Sequence, residues 1–323
     1  MKNQDDKKSL HWSQEKEVAK SNRPIRFLVW LVKILPFGVL AFIALPVSFF
    51  YWIFSKRARI EAKRYQKRII AFSEGHSLKR PRTYPQVLSF ALTLVEKVAG
   101  WCGKASLEEV VFHDDDIAGL NDRLCRGEGV MLIGSHLGNM ELLRTLATYN
   151  QTSVDKELPV VAIMDMNVTA RFNQTLADLN PLYKMDLISA SDIGVDTVEK
   201  LQDCIARGGL VVIAGDRTSA NAQDRNFEKD FLGQKAAFPY GSFFLASILN
   251  ASVYFVFALR QKTFMFRPKY DMIVKKSSIG FDCGRKERIA RSEKLCGEYV
   301  SLLEKYAMER PFQWYNFFDF WSI

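Results

Sequence analysis

Residues 34 to 54, ILPFGVLAFIALPVSFFYWIF, hold no charged side chain. A run of about 20 apolar residues is long enough to cross the hydrocarbon core of a bilayer as one helix. That requirement splits the chain into a segment that belongs in lipid and a remainder that must build its own core. FLVWLVK, just ahead, lengthens the apolar stretch. The run is too long and starts too late for a cleaved signal peptide, and it ends in aromatic rather than small residues. Pro36 and Pro46 leave two geometries open, a single span or a hairpin that enters and leaves one leaflet. Tyr51 and Trp52 close the run with rings that suit the membrane interface. SKRARIEAKRYQKR follows, with seven Lys or Arg between Lys56 and Arg68 against one Glu, and KRPR at 79 to 82 adds more. Such a collar places the downstream chain in the cytoplasm by the positive-inside rule. It also attracts anionic lipid, at roughly 1 kcal/mol per basic residue near the surface.

The formal charge of +9 suits an anionic partner. Because the basic residues crowd beside the apolar run, and no RNP, zinc-finger or helix-turn-helix pattern accompanies them, nucleic acid is not the partner expected. The five cysteines (Cys102, Cys125, Cys204, Cys283, Cys296) are scattered without a CxxC pair, which argues against a zinc site or redox dithiol and for a reducing compartment.

From about residue 106 short apolar runs alternate with amphipathic stretches. Strands are predicted at 107–113, 129–135, 158–164, 185–189, 210–215, 252–259 and within 264–274. Helices are predicted near 115–126, 139–149, 168–179, 193–207, 240–249 and 286–308. This alternation predicts an α/β fold, a single layered domain with a mostly parallel central sheet flanked by helices. The chain then divides into a polar segment (1–24), a hydrophobic membrane-anchoring segment (25–55), a basic helical connector (56–105) and the layered domain (106–323).

One of only four histidines, His136, follows the strand GVMLIGS, where the carboxyl ends of strands gather ligands in open α/β sheets. Gly138 and Asn139 suit a tight turn into a helix carrying Glu141. Five residues is slightly more than one helical turn, so Glu141 can reach back to the imidazole. A carboxylate on one ring nitrogen fixes the tautomer and makes the other nitrogen the better base, the arrangement needed to deprotonate a hydroxyl nucleophile. A helix-capping or core histidine is the competing reading of this spacing. His113-Asp114-Asp115-Asp116 suggests no metal, since consecutive acids point in different directions and Asp suits a helix start.

SHLGNMELL resembles the His-x4-Asp/Glu motif of the lysophospholipid acyltransferase superfamily, and its glutamate form resembles the bacterial lipid A late acyltransferases. GGLVVIAGDRTSA (208–220), FLGQKAAFPYGSFFLA (231–246) and PFQWYNFFDF (311–320) follow in that family's order. The likeness covers almost the whole chain from about residue 10. It implies an O-acyltransferase in which His136 is the general base and Glu141 orients it. Gly138, Asn139, Asp216, Arg217, Gly233, Phe238 and Pro239 are the implied substrate-binding positions. Asp216 and Arg217 would lie at a strand's carboxyl end, with Arg217 facing a thioester oxyanion or a phosphate, while Gly233, Phe238 and Pro239 would shape a loop and an acyl groove.

The resemblance implies no cofactor and no metal. The donor would be an acyl thioester, acyl carrier protein in preference to coenzyme A, and the acceptor a membrane lipid or glycolipid. The implied location is the cytoplasmic face of a bacterial inner membrane. Lipid A relatives commonly carry an arginine-containing block after the third core strand, where this chain has AIMDMN (162–167) and Arg171 only later. That departure opens the choice of acceptor, and the overall variant with its GDR triplet also resembles acyltransferases of other bacterial glycolipid or aryl polyene-type lipid pathways. A lysophospholipid (glycerolipid) acyltransferase is a second enzymatic reading, disfavoured by glutamate in place of aspartate. A catalytically silent membrane-associated binding protein is the non-enzymatic alternative.

Overall fold

The computed structural model describes residues 23–102, 104, 110–113, 116–140, 142, 158–164, 186–190, 193–218, 225–264 and 267–321. The helix expected at 168–179, most of that at 139–149, Glu141 and Arg171 lie outside the described residues. Four helices open the chain: α1 (Arg23–Ile34), α2 (Phe37–Phe54), α3 (Lys56–Phe72) and α4 (Thr83–Trp101). Strands and helices then alternate as β1 (Val110–Phe112), α5 (Asp116–Cys125), β2 (Val130–Gly134), β3 (Val160–Met164), β4 (Asp186–Ser189), α6 (Val195–Ala206) and β5 (Leu210–Ala214). They continue through β6 (Asn226–Phe231), β7 (Gln234–Pro239), α7 (Tyr240–Leu249), β8 (Ser252–Arg260), β9 (Tyr270–Lys276) and α8 (Arg288–Glu309).

Seven strands form one sheet in the order β1-β9-β8-β2-β5-β3-β4, parallel except where β8 meets β9. The central strands VMLIG, VVAIM and LVVIA carry apolar side chains on both faces because helices cover both. Alternate residues serve opposite layers. Met131 and Ile133 join the core under α7 and α8, and Val130 and Leu132 join the core under α5.

Two details depart from the sequence expectation. The last strand is β9 at Tyr270–Lys276, shifted toward the C-terminus from the 264–274 region, and it pairs antiparallel with β8. The stretch expected to be a loop at 231 onward begins in a separate antiparallel hairpin, β6–β7. Leu232 and Gly233 both have positive φ at its two-residue turn, which matches the twist of paired strands.

The apolar N-terminal run is two helices. Pro36 has extended geometry and caps α2, so the break falls there, whereas Pro46 lies within α2. With 18 residues and no acidic or basic side chain, α2 is the one helix among the described residues long and apolar enough to cross a membrane. One face of it is buried. Leu40 joins Val95 and Val98 of α4, Ala41 and Ala44 join Leu88 and Leu92, and Trp52 donates to Thr83. The opposite face exposes Phe42, Val47, Phe50 and Phe54.

Candidate functional site

β2 and β5 are parallel neighbours in register, Gly134 opposite Ala214. Two residues beyond each paired position stand His136 and Asp216. The sheet therefore delivers both side chains to the same place. Asp216 Oδ1 lies 2.8 Å from His136 Nδ1, and Asp216 Oδ2 accepts the His136 backbone N–H at 2.9 Å. Trp314 Nε1 donates to that same Oδ2 at 3.0 Å. Asp216 is fully buried while the His136 side chain is a third exposed. The arrangement is a closed carboxylate holding an open imidazole. Nε2 of His136 has no protein partner among the described residues.

The loop carrying His136 is clamped on two sides. Leu137 bridges Trp314, Tyr315 N donates to His136 O, and Gly138 N donates to Gln313 O. On the other side Asn139 N donates to Ala258 O of β8. Gly138 has φ +81°, and a Cβ there would lie 2.1 Å from Ala258 O. Only glycine permits that approach.

Charge tunes the pair. Burial and the Arg217 cation hold His136 below its ordinary pKa, against the opposing pull of Asp216. Burial pushes the Asp216 carboxyl up, but His136, Arg217 and the Trp314 hydrogen bond outweigh it and leave it below the usual carboxylate range. The stable state is neutral imidazole beside ionised carboxylate. Such an imidazole accepts a proton at Nε2. Arg217 is fixed by Nε to Asn316 Oδ1 at 3.0 Å and Nη2 to Tyr315 O at 3.0 Å, with its guanidinium over the Phe318 ring.

Of the residues singled out in the sequence, the structure gathers His136, Gly138, Asn139, Asp216 and Arg217. Glu141 lies outside the described residues, and the carboxylate on Nδ1 is that of Asp216. Gly233, Phe238 and Pro239 stand elsewhere. Gly233 is in the hairpin turn, Pro239 caps α7, and Phe238 is wholly buried against Phe231, Tyr299 and Phe320. Phe231 and Phe320 in turn pack on Trp314, so Phe238 supports the site from behind.

Sequence reasoning gave Trp314 no hydrogen-bonding role. The signal it lacked was the pairing of two strands: GVMLIGSH (129–136) and GLVVIAGD (209–216) superimpose residue for residue, His136 on Asp216. Among the described residues no cluster of three or more His, Cys, Asp or Glu is placed to hold a metal ion. The chain matches no protein-family model, and no curated protein is significantly similar to it.

Proposed function

We propose that this protein is a membrane-anchored O-acyltransferase that moves a fatty acyl chain from an acyl thioester to a hydroxyl of a lipid or glycolipid. The observation that carries the reading is the His136 imidazole, pinned through Nδ1 by a buried carboxylate and open at Nε2. Nε2 takes the proton of the acceptor hydroxyl as that oxygen attacks the thioester carbonyl. The oxyanion that forms is neutralised by Arg217. As the intermediate collapses, the carbon–sulfur bond breaks and the thiolate takes the proton back from His136. The products are an ester and a free thiol. Asp216 acts through His136, setting its tautomer and stabilising the imidazolium.

The anchor is α1 and α2, and the exposed basic residues of α3, such as Lys56, Arg57, Lys63 and Lys67, face anionic headgroups. The same surface favours acyl carrier protein, an acidic donor, chiefly through association rate. The acceptor is a lipid A-like glycolipid, and the site is on the cytoplasmic face of a bacterial inner membrane.

His136→Ala is expected to abolish transfer in a chain that still folds, with a loss of stability of about 2 kcal/mol from the hydrogen bond to the buried Asp216 carboxylate that it deletes. Turnover retained in that variant, with any thioester donor and hydroxylated lipid, removes the base and the reading with it. Glu141→Gln beside Asp216→Asn separates the two candidate orienting carboxylates. Asp216→Asn is expected to cost more, on the order of 10³-fold or greater in kcat, because the wrong tautomer then faces substrate.

A further inference from the structure

Two consecutive residues of the C-terminal segment hold both the imidazole and the cation of the site. Tyr315 N donates to His136 O at 3.0 Å, and Tyr315 O accepts from Arg217 Nη2 at 3.0 Å. Asn316 Oδ1 accepts from Arg217 Nε, also at 3.0 Å. Nε and Nη2 are the two donors along one edge of a guanidinium, so this grip fixes the plane of the group as well as its position. The platform is itself anchored. The Tyr315 hydroxyl meets Ser89 and Thr93 of α4, and Gln86 of the same helix donates to Trp314 O. The interval between imidazole and guanidinium is thus set by the Tyr315–Asn316 peptide rather than by the flexible stem of Arg217.

The choice of an amide at position 316 is informative. Asn316 is 2% exposed, and because the Arg217 Nε–H can only donate, the amide is oriented with Oδ1 toward it. That leaves Nδ2 buried with no acceptor among the described residues, which costs stability. Aspartate has the same shape and no such donor, but its carboxylate would pair with Arg217 and cancel the charge. An apolar residue would leave the guanidinium, which is partly exposed, to turn toward water, where its field on the ring would be screened. A neutral acceptor avoids both outcomes.

We infer that Asn316 is a positioning residue whose side-chain oxygen, together with the Tyr315 carbonyl, holds the Arg217 guanidinium at a set distance from the His136 ring while leaving it charged. Its service to acyl transfer rests on the reading above, whereas its hold on the imidazole does not.

The charged groups that bear on the ring are Asp216 and Arg217, just beyond β5, and Lys97 of α4. Between Pro311 and Phe318 the C-terminal segment adds only the Tyr315 phenol, which faces α4. The test follows the histidine rings by NMR through a pH titration of the full, isotope-labelled chain in lipid nanodiscs, with His136→Ala identifying its resonance by loss. Asn316→Ala is expected to raise the His136 midpoint, in the direction of Arg217→Met and no further, and to add nothing in the Arg217→Met background. A residue that merely filled space would act alike whichever residue stood at 217. The same variant should lower kcat about tenfold with KM little changed, the worth of one hydrogen bond to a charged group. Asn316→Asp, which keeps the shape should Asn316→Ala fail to fold, is expected to raise the midpoint by cancelling the guanidinium charge. A midpoint equal to that of the native chain in either variant overturns the proposal, and so does an equal rise from Asn316→Ala with and without Arg217. A rise that needs Arg217, in a chain that transfers no acyl group to any acceptor, would instead sink the acyltransferase reading and leave the role of Asn316 standing.

Discussion

Asp216 shows how a residue far away in sequence becomes the nearest neighbour of His136. Counting along one helix turn from the histidine leads to Glu141, whereas counting across the sheet leads to Asp216, because equal offsets from paired strands meet at their carboxyl ends. The local spacing was legible in one sequence, but the pairing needed the strand order. Trp314 was legible only as part of an aromatic signature. Its indole N–H is the one side-chain donor among the described residues, apart from His136 itself, that completes Asp216. Trp314→Phe keeps the ring packed against Tyr65, Phe231 and Phe320 but deletes a hydrogen bond to a buried charge. We expect about 2 kcal/mol less stability and a fall in kcat of about tenfold with KM little changed, read by melting and steady-state assay.

The pH profile carries a second expectation. With His136 held low, the base form persists beneath the ordinary histidine value of about 6.5. The acid limb of kcat/KM therefore lies below that pH. Arg217→Met removes a cation that lowers the ring and should move the limb upward, while Arg217→Lys should largely restore it. A limb that stays fixed in Arg217→Met would mean that Arg217 does not set the imidazole. Stability follows the same sign. His136 and Asp216 both have folded values below their unfolded ones, so each contribution is present at neutral pH and lost as pH falls through its window.

Among the elements, α4 has two opposed jobs. One face, with Leu88, Leu92, Val95 and Val98, receives α1 and α2. The other carries Gln86, Ser89, Thr93 and Glu96 at helical spacing, all turned inward. Gln86 donates to Trp314 O at 2.7 Å, and Ser89 and Thr93 meet the Tyr315 hydroxyl at 2.8 and 3.0 Å. Glu96 meets Arg260, Asn139 and the Tyr270 hydroxyl. This stripe fixes the C-terminal segment that in turn holds Asp216 and Arg217. The 3-4-3 spacing of these polar residues stood in the sequence, but read as part of a basic helical connector (56–105) it gave no sign of which segment the stripe would face. Glu96→Ala leaves the Arg260 guanidinium buried and unpaired, and should cost about 3–5 kcal/mol. Glu96→Gln, which keeps the shape and one acceptor, should cost less. Chemical denaturation of the two variants checks the order; equal and small effects would mean that water reaches Arg260.

At the scale of the whole molecule, the length of α2 and its attachment make opposing demands. Its 18 residues span about 27 Å, close to the thickness of a hydrocarbon core. But α2 runs antiparallel along α4, from Leu40 beside Val95 and Val98 to Trp52 on Thr83, and Tyr84 donates to Leu45 O on the way. A helix fastened along its length cannot stand upright in the bilayer unless α4 goes with it. That would carry the polar stripe of α4, and behind it Trp314 and the histidine, to mid-membrane depth, where irregular backbone is poorly tolerated. We therefore expect the arrangement with fewer costs, in which α1 and α2 would lie in one leaflet by their outer aromatic faces and the basic side of α3 would meet the headgroups. Lys33, at the end of α1, and Lys56, just after α2, are both exposed and bracket the segment. In a chain with its native cysteines replaced, Lys33→Cys and Lys56→Cys should both react with an impermeant maleimide on sealed inside-out vesicles. If Lys33→Cys reacts only after the vesicles are opened, α2 crosses the membrane, and its contact with α4 must then give way on insertion.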